Sequence, residues 1–527
     1  MEKERVTSLS CIPTIPAKDN VNFLNIPLEI RVKIWKGLNS SDLARMRLLS
    51  RQFKQEIEQH LDFHINLDQG YRGYRKLCRL HVRSCTITNL TNPKLPSGPL
   101  FVFPSRLKKL RLDGNVSKQN LLNILNQCRD MDHLSVTHQT MGIPELFYDP
   151  HIKECLRNNL QHVTKLDVQL LRYPMADPFI TNPNMDIMLT NYFPSLKSFK
   201  LCFSLWGNYV KILHFLKKHA STLQELELLV GDSVDAKNTK IFLQSNRSQD
   251  RRVREIVDIK VLSSLKLTKF ILRDDVLNTN PTVALFFLEI LEQLTTLKVF
   301  QFYSPGEITL QNVQSIVSNN ENTLEEFIIS NIKKPAAPVA ENLNNHDDDD
   351  ENDQGINFPL DMSIFQRCGK LKRLELSCNT CHKTAGVQAT CFKLSNLHLI
   401  SDAIERVCLT GFQIDLQELV HWSENSAMNL KELCIADAGS VIKYSILLGC
   451  VLKNCTQLTY LNVRPTVAKI DNVVDEAERL SELNELTKLY NHFIGTPFDE
   501  DDLDGFEVTK ISDTSRKWVQ ENIQYCI

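Results

Sequence analysis

One six-residue hydrophobic pattern recurs along most of this chain and restricts its fold more than any other feature. Each copy has an apolar residue, two variable residues, an apolar residue, one variable residue and a third apolar residue. The twelve copies are Leu107/Leu110/Leu112, Met131/Leu134/Val136, Val163/Leu166/Val168, Leu196/Phe199/Leu201, Leu223/Leu226/Leu228, Leu267/Phe270/Leu272, Leu297/Phe300/Phe302, Leu324/Phe327/Ile329, Leu371/Leu374/Leu376, Leu394/Leu397/Leu399, Leu430/Leu433/Ile435 and Leu458/Leu461/Val463. A thirteenth match, Ile404/Val407/Leu409, begins too soon after Leu394 to be a separate unit, so one of these two segments is expected to be a neighbouring part of the same repeat.

The geometry of a β-strand explains this pattern. Copies begin about 32 residues apart on average, slightly above the ~20–29 residues of a leucine-rich repeat. Successive side chains of a strand point to opposite faces, so the last two apolar residues of each copy point into one core. Stacked repeats bury that core continuously, with a return helix or an irregular segment on the other side. The pattern therefore predicts an α/β solenoid, a curved leucine-rich-repeat array over residues 67–468.

Three stretches depart from the repeat pattern. Residues 1–21 are expected to form a disordered N-terminus. Residues 335–356 begin with a Pro-rich segment and continue with an acidic run, which predicts a disordered surface insertion in the array. Residues 469–527 start with apolar residues at helical spacing and continue with acidic residues, which predicts a C-terminal helix followed by an acidic tail.

Composition narrows the class of partner. The chain has 61 Lys plus Arg and 63 Asp plus Glu, a net charge of −2, which argues against a protein that mainly coats nucleic acid or an anionic membrane. No segment is apolar for the ~18 residues of a membrane span. The 15 cysteines are scattered, many within apolar strand-like runs, and the N-terminal residues lack the apolar run of a secretory signal. We therefore expect an intracellular protein of the cytoplasm, the nucleus or both.

Residues 22–66 carry a different pattern, ahead of the array. Apolar residues at helical spacing predict two helices, each with one apolar face, separated by a break at Asn39 to Ser41. The first face contains Ile30, Ile34 and Leu38, and the second contains Leu43, Met46, Leu49 and Phe53. The order of residues is Ile26-Pro27-Leu28-Glu29, then Ile34-Trp35, Leu38, Asp42-Leu43 and Leu49-Ser50-Arg51-Gln52-Phe53.

This segment resembles an F-box, whose pattern is Leu-Pro, a Glu two residues on, Ile-Phe, Leu, Asp-Leu and Val-Cys-Arg-x-Trp. The spacings match, and the departures include Ile26 for Leu, Trp35 for Phe and Phe53 for Trp. Members of that family use a three-helix F-box to bind the small adaptor of the SCF ubiquitin ligase, which joins them to a cullin, while their repeats hold a protein substrate. The resemblance implies a non-catalytic substrate-recognition subunit. The adaptor-binding residues it implies are Ile26, Pro27, Ile30, Ile34, Trp35, Leu38, Leu43, Leu49 and Phe53.

A second interpretation of this segment remains open. Solenoids need terminal caps that close their apolar ends, so residues 22–66 can also be a helical cap. The chain would then be a leucine-rich-repeat scaffold or regulatory interaction protein with no ubiquitin role. Binding to the SCF adaptor separates the two hypotheses.

The outward residues of the strands are the candidates for substrate binding, on the concave face of the predicted array. They combine charges of both signs with Arg and Tyr, which suits a protein partner, and they lack the uniform positive stripe of a nucleic-acid surface. We expect no nucleic-acid or membrane partner. The candidates are Arg111, Lys165, Asp167, Lys200, Glu227, Arg273, Gln301, Tyr303, Arg373, Glu375, His398, Tyr460, Asn462 and Arg464.

One cluster has the residue types of a metal site. Cys378 and Cys381 are spaced as Cys-x-x-Cys and precede His382, with Cys368 and Cys391 nearby. A second such pair would be strong evidence for a zinc site, and the sequence lacks one, so ordinary loop thiols are favoured and no metal or cofactor is expected. An enzyme that uses this cluster is a third hypothesis and would require stoichiometric zinc. The sequence contains no Gly-rich phosphate loop, His-Glu-x-x-His motif or nucleophile elbow, so we expect no catalytic activity.

Overall fold

The computed structural model describes most of the repeat strands and the N-terminal helices. The described residues are 23–38, 40–61, 63–67, 82–88, 107–113, 116–137, 149–169, 192–203, 215–230, 264–274, 288, 290–303, 308–332, 359–378, 392–438, 451, 454–465 and 506–509. The expected disordered segments 1–21 and 335–356 and the expected C-terminal helix lie outside them.

Within the described residues, fifteen strands form one sheet, in the order β1 to β10, β12, β14, β16, β17 and β18. These strands are β1 (Phe63–Leu67), β2 (Val82–Ile87), β3 (Lys109–Leu112), β4 (His133–Thr137), β5 (Lys165–Gln169), β6 (Ser198–Phe203), β7 (Glu225–Val230), β8 (Lys269–Asp274), β9 (Val299–Tyr303), β10 (Glu326–Ile332), β12 (Arg373–Cys378), β14 (Arg406–Thr410), β16 (Glu432–Ala438), β17 (Tyr460–Pro465) and β18 (Phe506–Thr509). All neighbours pair in parallel except β18, which lies antiparallel to β17 at the edge. A separate parallel sheet contains β11 (Pro359–Asp361), β13 (Phe392–Ser395) and β15 (Phe412–Ile414).

The repeat pattern becomes three buried rows because neighbouring strands pair at the same repeat position. Phe270, Phe300 and Phe327 show this for the middle apolar position, since they lie opposite one another in register and are at most 1% exposed. Their rings stack with centroids 6.2 Å and 5.2 Å apart, a geometry that is favourable for aromatic pairs. One parallel strand per repeat over a continuous core is the solenoid that the sequence predicts.

The array begins earlier than the first recognised repeat. Strands β1 and β2 pair with each other, and β2 pairs with β3, ahead of the Leu107 copy. Strand β1 starts at Phe63, inside the range 22–66 that the sequence assigns to the helical module.

The two closely spaced matches near residue 400 belong to one repeat. Ile404/Val407/Leu409 supplies the sheet strand β14, and Leu394 lies in β13 of the separate sheet. Leu394/Leu397/Leu399 is thus the neighbouring segment of the two, because Asn396 has a φ of 58° in the left-handed region and a 3-10 turn, Leu397–Leu399, follows it. Asn tolerates this conformation better than most residues.

Helices connect several strands of the array. They are α4 (Lys118–Gln127), α5 (Pro150–Asn159), α6 (Leu310–Asn320) and α7 (Leu416–Asn425). Side chains of Ser117, Asp149, Thr309 and Asp415 accept hydrogen bonds from backbone N–H groups in the first turns, which caps each helix. The apolar faces of α4 to α7 belong to the same core as the strands.

The N-terminal module has three helices, α1 (Leu28–Gly37), α2 (Ser40–Leu49) and α3 (Arg51–His60), preceded by a 3-10 turn, Phe23–Asn25. It has its own cluster of buried residues, Trp35, Ile57 and Leu61, separate from the core of the array. Phe23, Trp35 and Phe53 pack as an aromatic triad with ring centroids 5.0 to 5.4 Å apart. Ser50 caps α3 by accepting from the backbone N–H groups of Gln52 and Phe53.

Candidate interaction surfaces

A buried ion pair fixes the interior of the helical module. Arg31 on α1 and Glu56 on α3 are 6% and 7% exposed, and they form two parallel hydrogen bonds of 3.0 Å and 2.6 Å. The remaining arm of Arg31 donates to the carbonyl oxygens of Leu24 and Ile26, so the turn before α1 is held as well. Burial alone would raise the pKa of Glu56, but hydrogen bonds from Arg31 and Gln52 outweigh it and lower the pKa.

Because Arg31 occupies the inner face of α1, the apolar residues of the module divide into two groups. Trp35 is fully buried, and Leu38, Leu43, Met46 and Phe53 pack around it. Four other large apolar residues of the module are turned outward. Ile30, Ile34, Leu48 and Leu49 are 44%, 38%, 87% and 71% exposed, and we call these four residues the apolar module surface.

The apolar residues at helical spacing do not all face the interior of the module. Of the residues on the two apolar faces, Ile30, Ile34 and Leu49 are exposed. On α1 a paired Arg points inward instead, and charged residues are rarely buried unless they are paired. Among the other residues implied by the F-box resemblance, Ile26 is partly buried and Pro27 is exposed immediately before α1.

The outward face of the large sheet carries rows of side chains in register. The central outward row lies between the two inward positions of each strand and reads Asn66, Thr86, Arg111, Ser135, Asp167, Lys200, Glu227, Ile271, Gln301, Ile328, Glu375, Cys408, Cys434 and Asn462. Seven predicted substrate-binding residues lie in this row, namely Arg111, Asp167, Lys200, Glu227, Gln301, Glu375 and Asn462. Gln301 and Asn462 are buried within it.

The other predicted residues lie two positions before or after the central row, with one exception. Lys165, Arg373 and Tyr460 lie two positions before it, and Arg273, Tyr303 and Arg464 two positions after it. His398 does not lie on the sheet, because it belongs to the 3-10 turn and approaches Glu418 of α7 at 3.5 Å. The outward position of that repeat is Cys408, which the closely spaced second match would have supplied.

Charged and polar side chains join six strands of the sheet across its outward face. We call this set the charge ladder, and it consists of Arg273, Gln301, Glu326, Arg373, Glu375, Arg406 and Glu432. Gln301 accepts from Arg273 at 3.4 Å and donates to Glu326 at 2.8 Å. Arg273 also lies 5.3 Å from the ring centroid of Tyr303, within the range of a cation–π contact.

Glu375 is the centre of the ladder. Its Oε1 accepts from Arg373 at 2.7 Å and from Arg406 at 2.9 Å. Arg373 also contacts Glu326 at 2.8 Å, and Arg406 contacts Glu432 at 2.8 Å. Burial would lower the pKa of Arg373, but its hydrogen bond to Glu375 and the nearby acids raise it. The ladder therefore pairs its own charges.

The first strands of the array leave more charge unpaired. His133 contacts Asp167 at 2.9 Å, and Lys200 contacts Glu227 at 2.5 Å. Lys109 and Lys165 are exposed, and neither ammonium group has a partner among the described residues. A partner protein would contact unpaired lysine charges on the first strands and paired charges on the charge ladder.

The described cysteines are buried, except for Cys408 and Cys434, which are partly exposed. Cys368 and Cys378 are buried, and Cys378 donates to the carbonyl oxygen of Ile332 at 3.6 Å, whereas Cys381, His382 and Cys391 lie outside the described residues. Across the described strands and helices, no three His, Cys, Asp or Glu side chains are arranged as metal ligands. The sequence alone does not predict the direct pairing of Cys408 with Cys434, because it leaves open which of the two closely spaced segments supplies the strand of that repeat.

Comparisons with known proteins give no family. No family model matches the chain, and no curated protein matches it. Among solved structures, an internalin from Listeria monocytogenes matches with a TM-score of 0.32 and 13% identity, over 72% of this chain and 79% of that one. The Toll–Spätzle complex from Drosophila matches with a TM-score of 0.31 and 12% identity, over 81% of this chain and 47% of that one. Within the described residues, no helix is long and apolar enough to cross a membrane.

Proposed function

We propose that this chain is the substrate-recognition subunit of an SCF-type ubiquitin ligase. The helical module would bind the adaptor and, through it, the cullin, while the outward face of the sheet would bind a protein substrate. The chain itself would catalyse nothing; its contribution would be to hold a target lysine close to a charged ubiquitin-conjugating enzyme.

The apolar module surface is the observation that carries this proposal. Five large apolar side chains are exposed in the described part of the chain, and four of them are Ile30, Ile34, Leu48 and Leu49, with Met428 the fifth. Exposed apolar groups that cluster on one small unit are typical of a protein-binding surface. Full burial of one Leu or Ile side chain stabilises a contact by about 1.5–3 kcal/mol, so burial of these four residues would contribute strongly to the binding of a partner protein.

The same observation weighs against a simple cap. A cap that closes a solenoid turns its apolar residues toward the array and presents a polar outer face. Here the inward positions of the module are already filled by Trp35 and its neighbours, and further apolar residues remain exposed. The distribution fits a module that binds a second protein.

The test is co-purification of the full chain with the SCF adaptor. We compare the parent with Ile34→Glu and with Leu49→Glu. Both variants place a charge on the apolar module surface and leave the aromatic triad of Phe23, Trp35 and Phe53 unchanged. Lys36→Glu is the matched control for Ile34→Glu, since Lys36 is an exposed residue of the same helix, α1. Charge burial in an interface is costly, so the two apolar variants should lose capture by at least about tenfold.

Stoichiometric capture by the parent and by Lys36→Glu, with loss in both apolar variants, would support the proposal. If well-folded parent captures no adaptor, the ligase assignment is wrong. The chain would then be treated as a repeat scaffold whose partner binds the sheet face.

A further inference from the structure

Two thiols lie side by side on the outward face of the sheet. Cys408 on β14 and Cys434 on β16 are opposite each other in parallel register, in the central outward row. The two side chains share a hydrogen bond, and Thr410 contributes another to Cys408. Among the described cysteines these two are partly exposed, and the others are buried. The pair is therefore accessible to solutes, in contrast to the thiols of the core.

A buried oxygen acceptor stands next to this pair. Asn462 on β17 is in register with Cys434 and is 6% exposed. Its amide nitrogen donates to the hydroxyl of Tyr460 at 3.2 Å, but its Oδ1 accepts no hydrogen bond from the described residues. A buried acceptor without a hydrogen bond is unfavourable, so a donor or a cation bound at the neighbouring thiols that reaches this oxygen would be stabilised by it.

Strand geometry favours a bridging ion over a disulfide at this position. Neighbouring strands lie about 4.7–4.9 Å apart, whereas the β-carbons of a disulfide lie about 3.5–4.5 Å apart. Two sulfurs that bind one tetrahedral zinc ion at ~2.3 Å are about 3.8 Å from each other. The in-register placement of Cys408 and Cys434 on neighbouring strands is therefore compatible with one bridging ion.

We propose that Cys408, Cys434 and the amide oxygen of Asn462 form a binding site for one thiophilic divalent cation of the zinc class. Two thiolates balance the charge of such an ion, and the fourth tetrahedral position stays open to water. The proposal does not depend on what the helical module binds.

The first test is a titration of the reduced, metal-free full chain with Cd²⁺, whose thiolate complexes absorb in the near ultraviolet. The parent should give a charge-transfer band that saturates at one equivalent. Cys408→Ser and Cys434→Ser should each weaken binding by at least about 100-fold, and Asn462→Leu by about tenfold. Cys378→Ala is the matched control and should bind as the parent does. Circular dichroism confirms that each variant is folded.

Binding should also strengthen with pH, because the ion displaces thiol protons. The pKa of Cys408 is raised by its hydrogen bond to Cys434, by burial and by the charge of Glu375. Among the described residues, the strand register places the titratable or charged residues Arg373, Glu375, Arg406, Glu432, Tyr460 and Arg464 around the pair, and none of them is a histidine. Displacement of two protons predicts an affinity that rises roughly 100-fold for each pH unit.

A second measurement does not rely on variants. Zn²⁺ added to the native chain should slow alkylation of Cys408 and Cys434 by iodoacetamide, as read residue by residue by mass spectrometry.

A cadmium band that persists in the Cys408→Ser/Cys434→Ser double variant would place the ion on other thiols and overturn the proposal. Absence of the band from the folded parent, or alkylation of the pair that Zn²⁺ does not change, would overturn it equally.

Discussion

At the scale of single residues, the Arg31–Glu56 pair explains how the module places a charge inside and apolar residues outside. Each group would be costly to bury alone, and removing one partner of such a pair commonly costs about 3–5 kcal/mol. Both donors of the fork are used, and the third arm of Arg31 holds the turn before α1. The pair therefore sets which side of α1 faces the interior.

Glu56→Gln should destabilise the module by about 3 kcal/mol, since the variant leaves Arg31 buried without an opposite charge. The pKa of Glu56 is lowered in the folded state, so its stabilising effect is complete above the usual carboxyl pKa and is lost as pH falls through the lowered value. The parent module should thus weaken below about pH 4, and the variant should lack that component.

The measurement is pulse proteolysis in urea, scored as cleavage within residues 28–60. Glu29→Gln is the control, because Glu29 is an exposed residue of α1. Equal urea midpoints for Glu56→Gln and Glu29→Gln would show that the ion pair does not stabilise the module.

At the scale of elements, each strand of the array depends mainly on its two neighbours. Phe300 on β9 packs between Phe270 and Phe327 and is fully buried. Phe300→Ala should cost about 3–5 kcal/mol. Hydrogen exchange should speed up in β8 to β10 and stay unchanged in β2 to β4. Uniform acceleration over the whole sheet would contradict this local coupling.

Most strands followed from the sequence because spacing alone places their apolar residues on one face. The failures have identifiable causes. Strand β2 carries the same spacing at Val82/Cys85/Ile87, but with a cysteine in the middle position, and β1 offers only Ile65 and Leu67 of the three. The Leu394 segment has the same spacing, but β13 ends before the left-handed residue Asn396, and a 3-10 turn follows. The spacing of apolar residues does not predict the backbone conformation of the residues between them.

The candidate surfaces were less predictable than the fold. Thirteen of the fourteen residues that the sequence assigned to outward positions lie on strands of the sheet, because alternation determines which side chains point away from the core. The sequence did not reveal that Gln301 is buried or that Glu375 accepts from two arginines, since both depend on residues of neighbouring strands such as Arg406. For α1, the apolar periodicity did not show which residues face the interior, because a buried ion pair is not visible in hydrophobicity.

At the scale of the whole molecule, the residues that the structure describes form two separate apolar clusters, one in the module and one in the array. Trp35→Ala removes the central ring of the module and should cost about 3–5 kcal/mol there. Limited proteolysis should then cut within residues 28–60 while the repeat strands stay protected. Trp35→Phe is the control, since it keeps a ring beside Phe23 and Phe53 and removes an indole N–H that has no acceptor among the described residues. Cleavage throughout the array in Trp35→Ala would contradict the separation.

The central claim is that the module, and not the array, binds the SCF adaptor. The most direct test is hydrogen exchange of the full chain, read by mass spectrometry with and without saturating adaptor. We predict slower exchange in residues 28–49, which carry the apolar module surface, and unchanged exchange along strands β2 to β17. Slower exchange on the strands with residues 28–49 unaffected, or no change anywhere at saturating adaptor, would contradict it.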